Sequence, residues 1–146
     1  MTKYVIIDES TDSLQRPIFN VLVGPVNSKP SKQFLISTQI LKHKDADSIY
    51  AAMKKGLKNL WPNGIRYDNV LLCVSDQAQT MISAMKLAQE EFINLRHQSC
   101  LLHDVHLVCE TVRDGYRIAD NFYLFICREL YFKFYFIYWF ILNQYI

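Results

Sequence analysis

The chain has 146 residues and a net charge of +2, its 16 Lys and Arg scattered without a basic run. That length suits one domain with a sizeable buried core, and that charge gives no electrostatic case for a dedicated nucleic-acid-binding surface. The four cysteines, Cys73, Cys100, Cys109 and Cys127, form no disulfide framework, and Met1-Thr2-Lys3 leads straight into a strand without a signal peptide. A reducing, intracellular setting is therefore expected.

The first element is Tyr4-Val-Ile-Ile7, apolar and mostly β-branched, running into Asp8-Glu9-Ser10-Thr11-Asp12. A strand of this kind is buried on both faces, and Asp8 is expected to emerge at its carboxyl end. Taken alone, an aspartate there reads as the start of a turn that closes the strand. After a polar link through Arg16 and Pro17, Ile18–Val23 reads as a second strand stopped by Gly24-Pro25. Asn27–Ser31 reads as a turn, because prolines exclude regular structure there. A third strand follows over Gln33–Leu41, with Phe34, Ile36, Thr38 and Ile40 on one face and Ser37 and Gln39 on the other. The second and third strands make an antiparallel hairpin, with the first strand beside it.

The period changes at Asp45. Ile49, Met53, Gly56, Leu57 and Leu60 recur at helical spacing, with Asp45, Asp47 and Ser48 as N-terminal caps and charges. Lys54, Lys55 and Lys58 fall on other sides and read as a solvated face. Trp61-Pro62-Asn63-Gly64 ends this helix. Val70-Leu-Leu-Cys-Val-Ser75 then runs into Asp76, a second apolar strand that delivers a carboxylate. It can return parallel to the first strand by a crossover, which would set Asp8 and Asp76 about one strand spacing (~5 Å) apart. That is a geometry in which two carboxylates share a divalent metal. Gln77–Phe92 reads as a second amphipathic helix with Ala78, Met81, Ile82, Met85, Ala88 and Phe92 inward. Ser99–Leu102 reads as a fifth short strand or a strand-to-helix turn, and His103–Arg113 as a third helix with Val105, Val108 and Val112 inward.

Cys100, His103, His106 and Cys109 follow one another at a spacing of three, which invites a zinc reading. On one helix each such step turns about 300°, so Cys100 and Cys109 would point in opposite directions. A structural zinc site usually draws its ligands from two separated segments, and no second pair exists here. A buried thiol at Cys100 and hydrogen-bonded histidines fixing the turn suit these residues better.

The succession Asp8-Glu-Ser-Thr-Asp12, Leu60-Trp-Pro62, Asn69-Val-Leu-Leu-Cys-Val-Ser-Asp76 and Cys100-Leu-Leu-His103-Asp-Val-His106 resembles the RNase H-like catalytic domain of hAT-superfamily transposases and of domesticated host proteins derived from them. The likeness covers about residues 3 to 117. It implies an α/β fold with a mixed sheet in the chain order β-β-β-α-β-α-β-α, incomplete at its carboxyl end. It makes Asp8 the first catalytic acid and Asp76 the second, both metal ligands, with Cys100, His103 and His106 as a structural motif. It implies Mg²⁺ or Mn²⁺ as cofactor, with no small-molecule cofactor, and DNA as the parent family's partner and substrate. A nuclear location follows from the same likeness. The family's third acid, a glutamate on a late helix, has no counterpart here, since Glu110 and Asp114 lie on an earlier helix. Gln77 stands where many relatives have Asn.

Two domains of unequal kind are expected: 1–118, the amino-terminal part of the transposase domain, and 119–146, an apolar aromatic tail. From Phe122 to Ile146 the only charges are Arg128, Glu129 and Lys133. The charge-free run from Phe134 is shorter than the roughly 20 residues a membrane helix needs, so membrane association is not expected. Exposed, this tail would be an aggregation hazard. The expected function is that of a fragment of a DNA transposase, inactive alone for want of the third acid. The alternative is a domesticated scaffold that binds a protein partner or a second copy without catalysis. A nucleotide-binding domain is disfavoured, as no Gly-rich loop follows any strand.

Overall fold

The computed structural model describes residues 2–27 and 32–115, with side chains through Thr111. The fold is α/β, with a mixed five-stranded sheet and three helices, in the chain order β-β-β-α-β-α-β-α with one 3-10 turn before the fourth strand. The described residues fall into two compact units, the sheet with its first two helices up to Ser99 and the segment from Cys100 that carries the third helix. The expected boundary at residue 118, the tail beyond it and most of the Asn27–Ser31 turn lie outside the described residues.

Strands β1 (Lys3–Thr11), β2 (Pro17–Pro25), β3 (Phe34–Ile40), β4 (Val70–Ser75) and β5 (Arg96–Ser99) stand in the order β3-β2-β1-β4-β5. β1–β2 and β2–β3 are antiparallel, whereas β1–β4 and β4–β5 are parallel. β1 outruns its expected end by pairing with β2 as far as Thr11 opposite Pro17. The Asp12 carboxylate makes this extension possible. It accepts from the backbone N–H of Leu14 at 2.9 Å and of Arg16 at 2.8 Å, and from Arg16 Nε at 2.6 Å. Gln15 supplies the left-handed residue of the turn at φ 60°. The Arg16 N–H, followed by its guanidinium, holds the Asp12 carboxyl below its ordinary pKa.

Helix α1 (Ala46–Leu60) starts where the Asp45 side chain accepts from Ser48 N at 2.8 Å, as its sequence predicts. Ile49, Ala52, Met53, Gly56 and Leu57 are its buried face. Gly56 is required by close approach: a Cβ there would meet Val21 Cγ2 at 3.0 Å and Ser37 Cβ at 3.1 Å. That approach explains an unexpected feature of β3. Ile36, Ser37 and Gln39 are its half-buried residues, Ile36 packing against the core, and Gln39 donates to Ser37 Oγ and to the Ala52 carbonyl, both at 2.8 Å. Phe34, Leu35 and Ile40 are left 60%, 59% and 54% exposed. Ser37, small, and Gln39, through its amide, fit beneath a helix that comes this near.

Helix α2 (Gln79–Glu91) packs beside α1 and buries Met81, Ala84, Met85 and Ala88. Ala78 precedes the helix and is exposed, in contrast to its expected inward position. Lys54 is also not merely solvated: its ammonium lies 2.8 Å from both Glu91 oxygens and ties α1 to α2. Together the two helices and the sheet bury Val5, Ile7, Phe19, Val21, Cys73, Ile49, Met53, Leu57, Met85 and Phe92 in one core. Burial pushes the Cys73 thiol up to about 12, so it stays neutral.

β5 comprises Arg-His-Gln-Ser and so precedes the expected Ser99–Leu102, of which Ser99 closes the strand, Cys100 is the link and Leu101 and Leu102 open the next helix. Helix α3 (Leu101–Gly115) begins with Asp104 N bonded to the Cys100 carbonyl at 3.1 Å. Cys109 is buried and Leu101, Leu102, Asp104, Val105 and Glu110 are half-buried, whereas Val108, about 100° round the helix from Cys109, is 63% exposed. Among the described residues no helix is long and apolar enough to cross a membrane.

Candidate metal-binding carboxylate pair

The strand that carries Asp8 and the strand that runs into Asp76 are neighbours. β1 and β4 pair in parallel through Tyr4 with Leu72, Val5 with Cys73 and Ile6 with Val74. Two residues further along each chain, Asp8 and Asp76 stand level at the carboxyl end of this ladder. Adjoining strands are about 4.8 Å apart within a ladder, so the two acids leave neighbouring strands just past its end. The place is also special topologically. From β1 the chain steps one way to β2 and β3, then returns to the other side of β1 with β4. In open α/β sheets, ligands are held outside the carboxyl ends of strands where the order reverses in this way.

Each acid is set by its local structure. Asp8 lies within the β1–β2 ladder, opposite Asn20, and alternates away from the core residues Val5 and Ile7, so it is exposed. Asn20 is held in turn, donating to Ser10 Oγ at 3.3 Å and accepting from Thr38 Oγ1 at 3.0 Å. Asp76 is half-buried just beyond β4, where its Oδ1 accepts from Ala78 N at 3.0 Å and turns the chain into α2. Glu9, the other acid beside Asp8, forms an ion pair with Lys44.

Two residues with no expected role adjoin Asp76. Ser75 is the buried polar side chain of the described residues, 1% exposed. Its Oγ lies 2.9 Å from the Asp76 carbonyl and 2.8 Å from His97 Nε2. Burial lowers the His97 pKa, and the charge of Asp76 works against that shift. Ser75 directly before an acid and His97 in a polar tetrapeptide gave no periodic signal; only the β4–β5 pairing brings them together.

Cys100, His103 and His106 belong to the second unit, Cys100 half-buried directly before α3 and both histidines exposed on it. His106 Nε2 is 3.4 Å from Glu110 Oε1, one turn on. Among the described residues no three His, Cys, Asp or Glu side chains are grouped so as to hold a metal ion. Asp8 and Asp76 are carboxylates on adjoining strands, hard oxygen donors by their chemistry. Compared with known proteins, the chain matches no family model and no curated protein.

Proposed function

We propose that this chain is a piece of a hAT-type DNA transposase, bearing the part of an RNase H-like catalytic domain that supplies Asp8 and Asp76. The observation that carries the reading is the parallel pairing of β1 with β4, with Asp8 and Asp76 each two residues beyond its last pair, at a topological switch point. The mixed sheet and the element order support it. In this reading Asp8 and Asp76 hold Mg²⁺ or Mn²⁺. When bound, the ion activates water or a 3′-hydroxyl and neutralises the leaving oxygen of a phosphodiester. DNA as partner and a nuclear location belong to the same reading.

The protein's own contribution is position. Asp8 is fixed by ladder bonds to β2, and Asp76 by its bond to Ala78 N. Two carboxylates alone leave a metal and a DNA strand loosely held, and misplacement is costly in rate. The chain by itself is thus expected to be inactive or nearly so. In the alternative reading the same fold serves as a binding scaffold, and Asp8 and Asp76 hold no ion.

Thermal unfolding in Mn²⁺ separates the two. An ion that binds only the folded chain stabilises it by about 2.7 kcal/mol at a hundred times its Kd. The wild type should show that rise and Asp76→Asn should not. No rise in the wild type leaves the scaffold alone standing. Plasmid nicking that disappears in Asp8→Asn would refute the expected inactivity.

A further inference from the structure

The sequence offers no reason for a polar side chain at residue 75. Val70 to Val74 is apolar, and the position is as deeply buried as Val74, at 1% and 2% exposure. Burying a hydroxyl costs free energy unless it is hydrogen-bonded. Ser75 meets that condition twice, with the Asp76 carbonyl and with His97 Nε2. A serine hydroxyl has one proton. With that proton on the Asp76 carbonyl, the contact at 2.8 Å is made by the ring N–H of His97 donating to Ser75 Oγ. The result is a directed chain: His97 to Ser75 to the main chain of Asp76, whose carboxylate then caps Ala78.

We propose that Ser75 and His97 are positioning residues for Asp76, fixing its backbone from β5 so that its carboxylate is held ready for a cation. This rests on the metal-binding reading for its purpose, but the positioning itself can be read without metal. β5 is the strand next to β4 on the side away from Asp8. The hydrogen-bond chain therefore buttresses Asp76 from behind, as the β1–β2 ladder fixes Asp8 from its far side. Neither residue touches the cation in this arrangement; both act through Asp76.

The test uses the full chain, with Mn²⁺ as the probe. Amide hydrogen exchange at Ala78 reports on the Asp76 turn, and Mn²⁺ affinity reports on the carboxylate. Ser75→Ala and His97→Ala should speed exchange at Ala78. Both should weaken Mn²⁺ binding about tenfold, the low end of what loss of a partner behind a metal ligand does. His97→Gln, which keeps a side-chain N–H, should bring both readouts back to within a few-fold of wild type. Unchanged exchange at Ala78 in both alanine variants would overturn the proposal, whether or not Mn²⁺ binds. So would wild-type Mn²⁺ affinity in those variants alongside its loss in Asp76→Asn. Faster exchange at Ala78 with no Mn²⁺ binding by the wild type would uphold the positioning and sink the metal reading.

Discussion

Phe92 is the side chain on which the placement of β5, and hence of His97, most depends. It follows α2 directly, is 0% exposed, and stacks on Tyr67 with ring centroids 4.7 Å apart and planes tilted by 59°. Its N–H closes α2 on the Ala88 carbonyl at 2.8 Å, and its carbonyl receives Leu95 N at 2.9 Å, just before β5 begins. Truncating such a ring to alanine leaves those backbone bonds in place and removes only the ring. The expected cost is about 3–5 kcal/mol for transfer and cavity together. Of this, roughly 0.5–1.5 kcal/mol belongs to the aromatic pair. Set against a total stability of about 5–15 kcal/mol, Phe92→Ala should leave a marginal protein. Ile93 is the internal control, adjacent in sequence but 81% exposed. Ile93→Ala should stay within about 0.5 kcal/mol of wild type. Urea unfolding followed by far-ultraviolet circular dichroism measures both. A cost below about 1 kcal/mol for Phe92→Ala, or an equal cost for Ile93→Ala, would refute this placement of α2 and β5.

The structure fixes three further outcomes. His97 has its pKa lowered by burial, so between that value and the unfolded value of about 6.5 the unfolded chain binds more protons. Its contribution is therefore complete above about pH 6.5 and lost as pH falls through the folded pKa. Unfolding free energies measured downward from pH 7.5 should decline in the wild type and decline less in His97→Gln; a flat wild-type profile refutes this. A Cβ at Gly24 would lie 2.3 Å from Tyr4 Cζ, so Gly24→Ala must displace a buried ring. It should cost about 1–3 kcal/mol, and clearly less in a Tyr4→Leu background. Cys73, fully buried with its thiol pushed up to about 12, should resist iodoacetamide in the folded protein and react in urea. Peptide mass spectrometry reads that difference, with the half-buried Cys100 as the faster native site.

How much of this was legible in the sequence depends on where each element draws its signal. β4 and α1 were plain, because the Val70–Val74 run and the Ile49–Met53–Leu57 stripe are local patterns. The capping by Asp45 was equally local. β5 carries no such pattern: Arg-His-Gln-Ser becomes a strand only because β4 offers it a free edge to pair with. β3 is legible as a strand, but the cover over Ser37 depends on a glycine nineteen positions later, in α1. The same division holds at the candidate site. Asp8 and Asp76 announce themselves by ending apolar runs, whereas Ser75 and His97 acquire their relation only through tertiary pairing.

The cluster Asp8-Glu9-Ser10-Thr11-Asp12 offers three acids, and composition cannot rank them. The fold does so by three different devices. Strand alternation sends Glu9 to the side opposite Asp8, where it pairs with Lys44. Asp12 comes after the strand has ended and spends its oxygens on Leu14 and Arg16, which closes the β1–β2 turn. Asp8 alone falls two residues beyond the last β1–β4 pair, where β4 has already turned toward α2. There the β1–β4 pairing has ended, and each acid lies just past it. The extension of β1 beyond its expected end does not displace this site. It stiffens it, because the residue that would have been the frayed end of a strand is instead held by ladder bonds on both sides of its position in β2.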